Sequence, residues 1–466
     1  MEVTASFLWK NKEKNMNLTL KEIAAALNIQ GEFPDLTISS VEFDSRLIRQ
    51  DGFFVPLAGE RDGHTFADKA VENGAVASFW SHSLKEAPND LILLPVADVT
   101  AAFQQLAVYY QTKIAPKVVA ITGSNGKTTT KDMTESVLAQ KFQTYKTQGN
   151  YNNDLGMPYT ILHMPSETQI LILEMGMDHQ GEIAFLSKLA KPDVAAITLI
   201  GEAHLENLGS RQGIAAAKME IVTGLKNEGL LLIPANEPLL KPLVADLPQT
   251  IQTFGVGQGE LSATILTEDK ERTTFEVDGF VYEIPVLGSY NVTNALIAYG
   301  FGQYFGLTPE EIARGLARFQ LTKNRTQWLK AANGADILSD VYNANPTAMG
   351  LVLDSFGQLL IEGRRFVVLA DMLELGPDSK AMHVAMKEHL ADNYQAVFLY
   401  GSEMKALADA LIGSTFDVYH FEKENKQALM TQLKTQLKAM DALLLKGSNG
   451  MGLIDIVTYL QIEDED

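Results

Sequence analysis

The segment Thr122-Gly123-Ser124-Asn125-Gly126-Lys127-Thr128-Thr129-Thr130 stands between an apolar run, Val118-Val119-Ala120-Ile121, and a stretch with helical patterning to about Gln140. A strand that passes through a glycine-rich turn directly into a helix opens a β-α-β unit. It commits the surrounding chain to a mostly parallel sheet covered by helices. It is also where a phosphate cradle belongs. Glycines let backbone N–H groups converge on phosphate oxygens, and the helix start adds its positive end. Lys127 can then reach the β and γ phosphates, and the Thr128 hydroxyl can ligate Mg2+. The strict pattern has another glycine five residues before Gly126, where this chain has Ile121. The loop is therefore a variant, and a tight turn carrying an exposed lysine is the competing reading.

Strand-like runs at Ile170–Leu173, Val194–Ile197 and Leu230–Ile233 alternate with helical patterns after this loop, and helices are predicted from Val292 to Phe305 and from Pro309 to Arg318. The last third repeats the alternation, with strands expected at Ile337-Leu338, Phe366–Leu369, Ala396–Leu399 and Ala442–Leu445. Each runs out into Asp340, Asp371, Gly401 or Lys446-Gly447-Ser448. Ligands of open α/β sheets sit beyond such carboxyl ends, so these residues are expected to line one crevice unless they are ordinary turn residues. With 466 residues, and about 100–200 per domain, the chain is predicted to form three domains: 16–115, 116–325 and 326–466. The first is a small α/β unit closed by a helix burying Val99, Ala102, Phe103, Leu106, Ala107 and Tyr110 and stopping at Ala115-Pro116. Residues 1–15 carry no pattern. They are expected to be a disordered extension, or translation is expected to start at Met16.

The formal net charge of −20 repels phosphate backbones and anionic headgroups, and no basic patch offsets it, so neither nucleic acid nor membrane is an expected partner. The absence of cysteine removes disulfides, thiolate metal sites and thiol nucleophiles. No apolar run reaches the ~18–20 residues of a membrane span, and a cytoplasmic protein is expected.

Three further residues stand where chemistry could use them. Glu174 ends the strand after the phosphate loop, where an acid can ligate or orient magnesium. His204, in Gly201-Glu202-Ala203-His204-Leu205-Glu206, follows the next strand, and Lys218 interrupts the apolar, alanine-rich Ile214–Ile221. Read alone, Glu174 is a solvated strand end, His204 a structural histidine and Lys218 a surface lysine.

Taken together, Thr122–Thr128, Gly149-Asn150-Tyr151-Asn152-Asn153, Glu174-Met175-Gly176, His204-Leu205-Glu206 and Ala217-Lys218-Met219-Glu220 resemble the Mur ligases, the ATP-dependent amide-forming enzymes of bacterial cell-wall precursor synthesis. Within that family, Asp340–Pro346 and Asp371–Gly376 are similar to the members that add D-alanyl-D-alanine to a UDP-muramoyl tripeptide. The resemblance implies a three-domain α/β architecture: a domain for the UDP-sugar, a central P-loop ATPase with a mostly parallel sheet, and a C-terminal Rossmann-like domain. It implies ATP and Mg2+ as cofactors and a monomer acting on small-molecule substrates. It places Gly123, Ser124, Asn125, Gly126, Lys127, Thr128, Thr129, Asn294, Arg325 and Asp340 on ATP. Thr128, Glu174, His204 and a carbamylated Lys218 would hold metal, with Lys127, Lys218 and His204 the catalytic set. Ser45, Arg46 and His64, from Asp44-Ser45-Arg46 and Asp62-Gly63-His64, would hold the UDP-sugar. Asn150, Asn152, Asn153, Asn343, Asn345, Asp371 and Lys446 would meet the peptide. The chain departs from the expected pattern at Phe54, Pro56, Ala370 and Asn449. The last replaces an expected arginine, and so removes a guanidinium anchor for a carboxylate or phosphate. A ligase adding the third amino acid, a folate polyglutamylating enzyme, a P-loop regulator and a nucleotide-sugar module with a dead ATP site are the alternatives.

Overall fold

The computed structural model describes Met16, residues 18–322 and residues 325–462. The extension before Met16 lies outside them. By its internal contacts the chain divides into two compact units. One takes the chain up to Val119 together with Phe142–Met175 and Lys188–Lys191; the other takes Ala120–Lys141, Gly176–Ser187 and the chain from Pro192 onward.

In the first unit, strands Val41–Glu42, Gly52–Phe54, Ala75–Trp80 and Ile92–Pro95 form a four-stranded, all-parallel sheet in that order. The helix Leu20–Ala26 is started by a capping box, Thr19 accepting from Glu22 N–H and Glu22 accepting from Thr19 N–H. The helix Val99–Ile114 buries the six apolar residues its spacing predicted. It is capped by Asp98 and stops at Ala115, whose left-handed φ of 54° ends the helix before Pro116. Strands Thr144–Lys146 and Ile170–Glu174 pair in parallel in the same unit.

The second unit carries the strands Val194–Ile197, Leu230–Pro234, Thr250–Val256 and Leu261–Glu268, each parallel to the next. Beyond them the pairing reverses, and Leu261–Glu268, Thr273–Val277 and Phe280–Ile284 form an antiparallel ribbon. Helices run from Lys127 to Leu138, Ser289 to Tyr304 and Pro309 to Arg318, the last opened by a second capping box at Thr308 and Glu311. The chain after Arg325 forms a six-stranded sheet in the order Gln327–Lys330, Asp336–Asp340, Ala442–Lys446, Arg365–Ala370, Tyr394–Tyr400, Asp417–Phe421; only the first pair is antiparallel. Helices cover both faces. Val367 and Leu369 pack into one core with Met349, Leu353 and Phe356, while their neighbours Phe366 and Val368 pack into another with Leu433 and Ile456. That double burial is why these strands are continuously apolar in sequence. Each fully buried Phe or Leu contributes about 1.5–3 kcal/mol from area removed from water. Among the described residues no helix is long and apolar enough to cross a membrane.

Candidate active site

Past the fully buried Thr122 the chain turns at Gly123, with φ 147°, and again at Gly126, with φ 84°. A Cβ at Gly123 would run into the Thr198 hydroxyl, and one at Gly126 into the Asn294 side-chain oxygen. Glycine is required here by both backbone conformation and space. The helix Lys127–Leu138 begins on Gly126 without a side-chain cap, so the positive end of its dipole faces the loop. The Lys127 ammonium folds back across the loop and donates to the Gly123 carbonyl at 2.8 Å. Ser124 fixes the opposite wall: its hydroxyl donates to Gly201 O at 3.0 Å and accepts from Gly201 N–H at 2.9 Å. The Thr198 hydroxyl donates to Asn125 O.

Asn294 lies beneath this loop rather than beside it. Its side-chain oxygen accepts from the Thr130 hydroxyl at 3.2 Å, and its amide nitrogen donates to Asn291 Oδ1 at 3.2 Å. This residue, expected on ATP, is thus engaged in supporting the loop. Arg325 stacks its guanidinium 3.9 Å above the Tyr342 ring and brings Nη2 to 3.4 Å from Thr128 Oγ1. Asp340 and Lys446, at the carboxyl ends of neighbouring strands in register, form a buried ion pair at 2.6 Å, and Lys446 also donates to Asn343 O at 3.2 Å.

Lys218, on the helix Arg211–Met219, is 2% exposed and makes no hydrogen bond or ion pair among the described residues. Burial, with the charge of Lys127 added, pushes its ammonium well below the usual lysine range. A surface lysine on an apolar helix is therefore excluded. His204 starts the short helix Leu205–Leu208 at a left-handed φ of 58°. Its Nδ1 lies 2.8 Å from Glu374 Oε2 and 3.2 Å from Asp178 Oδ1, though without hydrogen-bond geometry. Burial holds its pKa down against the pull of these two carboxylates, and the charges of Lys127 and Lys218 act with burial. The second unit thus gathers the phosphate loop, Arg325, Lys218 and His204.

Residues 121–302 match the family described as Mur ligase middle domain, and residues 324–449 the family described as Mur ligase, glutamate ligase domain. The UDP-N-acetylmuramoyl-tripeptide--D-alanyl-D-alanine ligase of Bacillus subtilis (strain 168) is 39% identical over 95% of this chain and 98% of its own length. The protein of the same name from Escherichia coli (strain K12) is 33% identical over 96% and 99%. The chain belongs to the Mur ligase family. A crystal structure of MurF from Acinetobacter baumannii matches with a TM-score of 0.86 at 30% identity, covering 96% of this chain and 99% of that one. MurF ligase from Thermotoga maritima, crystallised in complex with ADP, matches with a TM-score of 0.80 at 26% identity, covering 91% and 97%. The α/β Mur ligase architecture expected from the motifs is the one this chain has.

The remaining residues that the Mur ligase resemblance singled out are placed as follows. In the first unit, the Asp44 carboxylate grips Arg46 through Nε at 2.9 Å and Nη2 at 2.6 Å; that guanidinium, working against burial, keeps the Asp44 carboxyl below its usual range. Ser45 is buried, its carbonyl accepting from the Asn73 amide at 2.8 Å. His64 Nδ1 lies 2.8 Å from Asp62, its Nε2 accepts from Ser81 N–H at 3.3 Å, and its ring stacks on His82 at 3.9 Å. Asn152 donates to Glu174 at 2.9 Å, and Asn153 accepts from Gly156 N–H at 2.8 Å at the start of the helix Gly156–Leu162; Asn150 is exposed. In the second unit, the Asp371 carboxylate accepts from Met404 N–H at 2.9 Å, and burial raises its pKa. Asn449 is exposed and begins a single 3-10 turn, Asn449–Met451. Thr198, Glu202, Tyr342 and Glu374 touch this machinery and were not predicted. Thr198 directly follows the strand Val194–Ile197, so the strand-end rule that picked out Asp340 applies equally to it.

Proposed function

We propose that this chain is an ATP-dependent ligase that joins D-alanyl-D-alanine to UDP-N-acetylmuramoyl-tripeptide through an acyl phosphate, in the cytoplasm and as a monomer. The observation that carries the reading is a glycine loop at an uncapped helix start, with Lys127 folded over it, beside a buried lysine that has no counter-charge among the described residues. The relatives named above supply the choice of substrates, and the ADP complex of the Thermotoga maritima protein supports the nucleotide.

An amide does not form from a carboxylate and an amine in water, because oxide is too poor a leaving group. In this reading the tripeptide carboxylate attacks the γ-phosphorus of ATP, releasing ADP. The dipeptide amine then attacks the acyl phosphate carbonyl and gives up a proton, and phosphate leaves as the C–O bond breaks, taking its electron pair. Lys127 and Arg325 offset negative charge gathering on the transferred phosphoryl group. Ser45, Arg46 and His64 would hold the UDP-sugar.

The residues fit a magnesium ion. Burial, with the charge of Lys127 added, shifts Lys218 well down from the usual lysine range, toward the free amine that adds to carbon dioxide, R–NH2 + CO2 giving R–NH–COO− and a proton, and the carbamate would present two oxygens sharing one negative charge. The Thr128 hydroxyl and the His204 imidazole would be further ligands. Mg2+ bound there would draw charge off the phosphates.

Phosphate release measured with UDP-muramoyl tripeptide and D-alanyl-D-alanine, together and separately, tests the proposal. Release is expected only with both substrates and Mg2+, matched by amide formed. ATP hydrolysis indifferent to both would instead favour a P-loop regulator, and release driven by a single amino acid would reassign the donor.

A further inference from the structure

Three segments distant in sequence meet at the phosphate loop of the second unit: Ser124-Asn125, the residues 198–202 that follow a central strand, and the first turn of the helix Pro346–Gln358. Asn345 is 1% exposed and uses its amide at both ends. Its Oδ1 accepts from Ala348 N–H at 2.9 Å, capping the helix, while its Nδ2 donates to the side-chain oxygen of Asn125. Two residues further on, in the helix, a single Glu202 oxygen accepts from Thr347 N–H at 3.1 Å and from the Thr347 hydroxyl at 2.8 Å. Glu202 is itself nearly buried, and Arg211 Nε stands 3.6 Å from its other oxygen. Gly201, next to Glu202, carries the two hydrogen bonds to the Ser124 hydroxyl. A rigid chain of contacts therefore runs from the helix through Asn345 to Asn125, and through Glu202 and Gly201 to Ser124.

We propose that Asn345 and Glu202 are positioning residues that form a two-point clasp, holding the helix Pro346–Gln358 against the phosphate loop so that water is kept from the activated carboxyl group. The role at Asn345 replaces the peptide contact expected from the sequence, because its amide is committed at both ends. The proposal rests on the ligase reading above. It follows from donor and acceptor counts. Asn125 Oδ1 can take a hydrogen bond only from a donor, and an amide nitrogen supplies one where a carboxylate would not. Glu202 occupies the first-turn N–H of the helix, the place where an anion is most favoured. Loosening either point separates the helix from a loop that must hold a water-sensitive intermediate.

Asn345→Asp separates the two halves of the residue's work. It keeps an oxygen for Ala348 N–H, so the cap and the fold survive, and it sets an oxygen against Asn125 Oδ1. Glu202→Ala removes the second point, and Glu202→Gln keeps an acceptor oxygen for Thr347. The expected result is that N345D and E202A raise phosphate released per amide formed by about fivefold or more, with thermal unfolding little changed, while E202Q stays within about twofold of the parent. Hydrogen exchange, measured with no substrate present, should quicken in N345D at the amides of 347–349 and 123–126. A folded N345D with the parent's coupling ratio and the parent's exchange pattern overturns the clasp. If the parent forms no amide, the ligase reading fails, and the exchange comparison alone still decides the clasp. Should N345D not fold, Thr347→Ala, which loses only the hydroxyl contact to Glu202, is read by the same two measurements, and unchanged values again overturn the proposal.

Discussion

Lys218 is the residue whose environment contradicts its ordinary chemistry most strongly. Burying an ammonium without an anion beside it is costly, and that cost, with the nearby charge of Lys127, pushes the group well below the usual lysine range. Replacing it with alanine should therefore leave a stable fold and lower kcat by at least about a hundredfold. If the proposed carbamate forms, short carboxylic acids should fit the space it leaves in the variant and restore part of the rate. A folded variant indifferent to added acetate or formate would remove the carbamate from the mechanism. Gly123 poses a different problem, of space and backbone together. Gly123→Ala must place a methyl group against the Thr198 hydroxyl at φ 147°, and nucleotide affinity should fall about tenfold or more. Adding Thr198→Ala should recover only part of this, since the backbone strain remains; full recovery in a titration of bound nucleotide would show that space alone mattered. For Lys127→Ala, whose ammonium spans the loop, turnover should drop by about a thousandfold with an unchanged circular dichroism spectrum, and near-parental rates would end its assignment.

At the scale of the elements, the strand Ala442–Lys446 lies inside the six-stranded sheet, and the residue just before it fixes where it starts. Asp441 accepts from Arg364 N–H at 2.9 Å, from Arg364 Nη2 at 2.6 Å and from Lys438 N–H at 2.8 Å. Burial works to raise its pKa, but these bonds win and hold it below the ordinary 3.8. A carboxyl depressed in the folded state adds stability above its unfolded pKa and loses it as pH falls through the folded value. Asp441→Asn should thus cost about 1–3 kcal/mol in urea unfolding at neutral pH, and the difference from the parent should shrink as pH drops below about 4. A pH-independent difference would assign the effect to packing. Much of this sheet was legible in the sequence, because strands buried on both faces, such as Phe366–Leu369, spell unbroken apolar runs. The antiparallel ribbon from Leu261 to Ile284 was not. In the strands Thr273–Val277 and Phe280–Ile284 buried positions are interleaved with partly or fully exposed ones, so apolar and polar residues mix, and they are joined through the turn Asp278-Gly279, both at positive φ, 51° and 78°. The loop residues Gly123 to Thr129 were legible because a phosphate cradle is local. The contacts of Glu202 to Thr347 and of His204 to Glu374 were not, since no periodicity links residues more than a hundred positions apart.

For the whole molecule, a formal charge of −20 sets a long-range field that opposes the nucleotide and the UDP-peptide, both polyanions in the proposed reaction. The cations at the phosphate loop, Lys127 and Arg325, act in the opposite sense but over a short distance. At about 0.1 M salt the Debye length is about 10 Å, so added salt screens the distant acidic surface more than the contacts made inside the site. Capture should therefore become faster as salt rises, and retention should change less. Stopped-flow binding of a fluorescent ATP analogue with Mg2+ is expected to show an association rate increasing about two- to fivefold between about 20 and 200 mM monovalent salt. An association rate that falls with salt would show that the cationic rim steers the nucleotide despite the acidic whole. In that case Arg325→Ala should flatten the salt dependence, because its guanidinium, held against Tyr342 and reaching toward Thr128, is a positive group at the edge of the loop rather than beneath it.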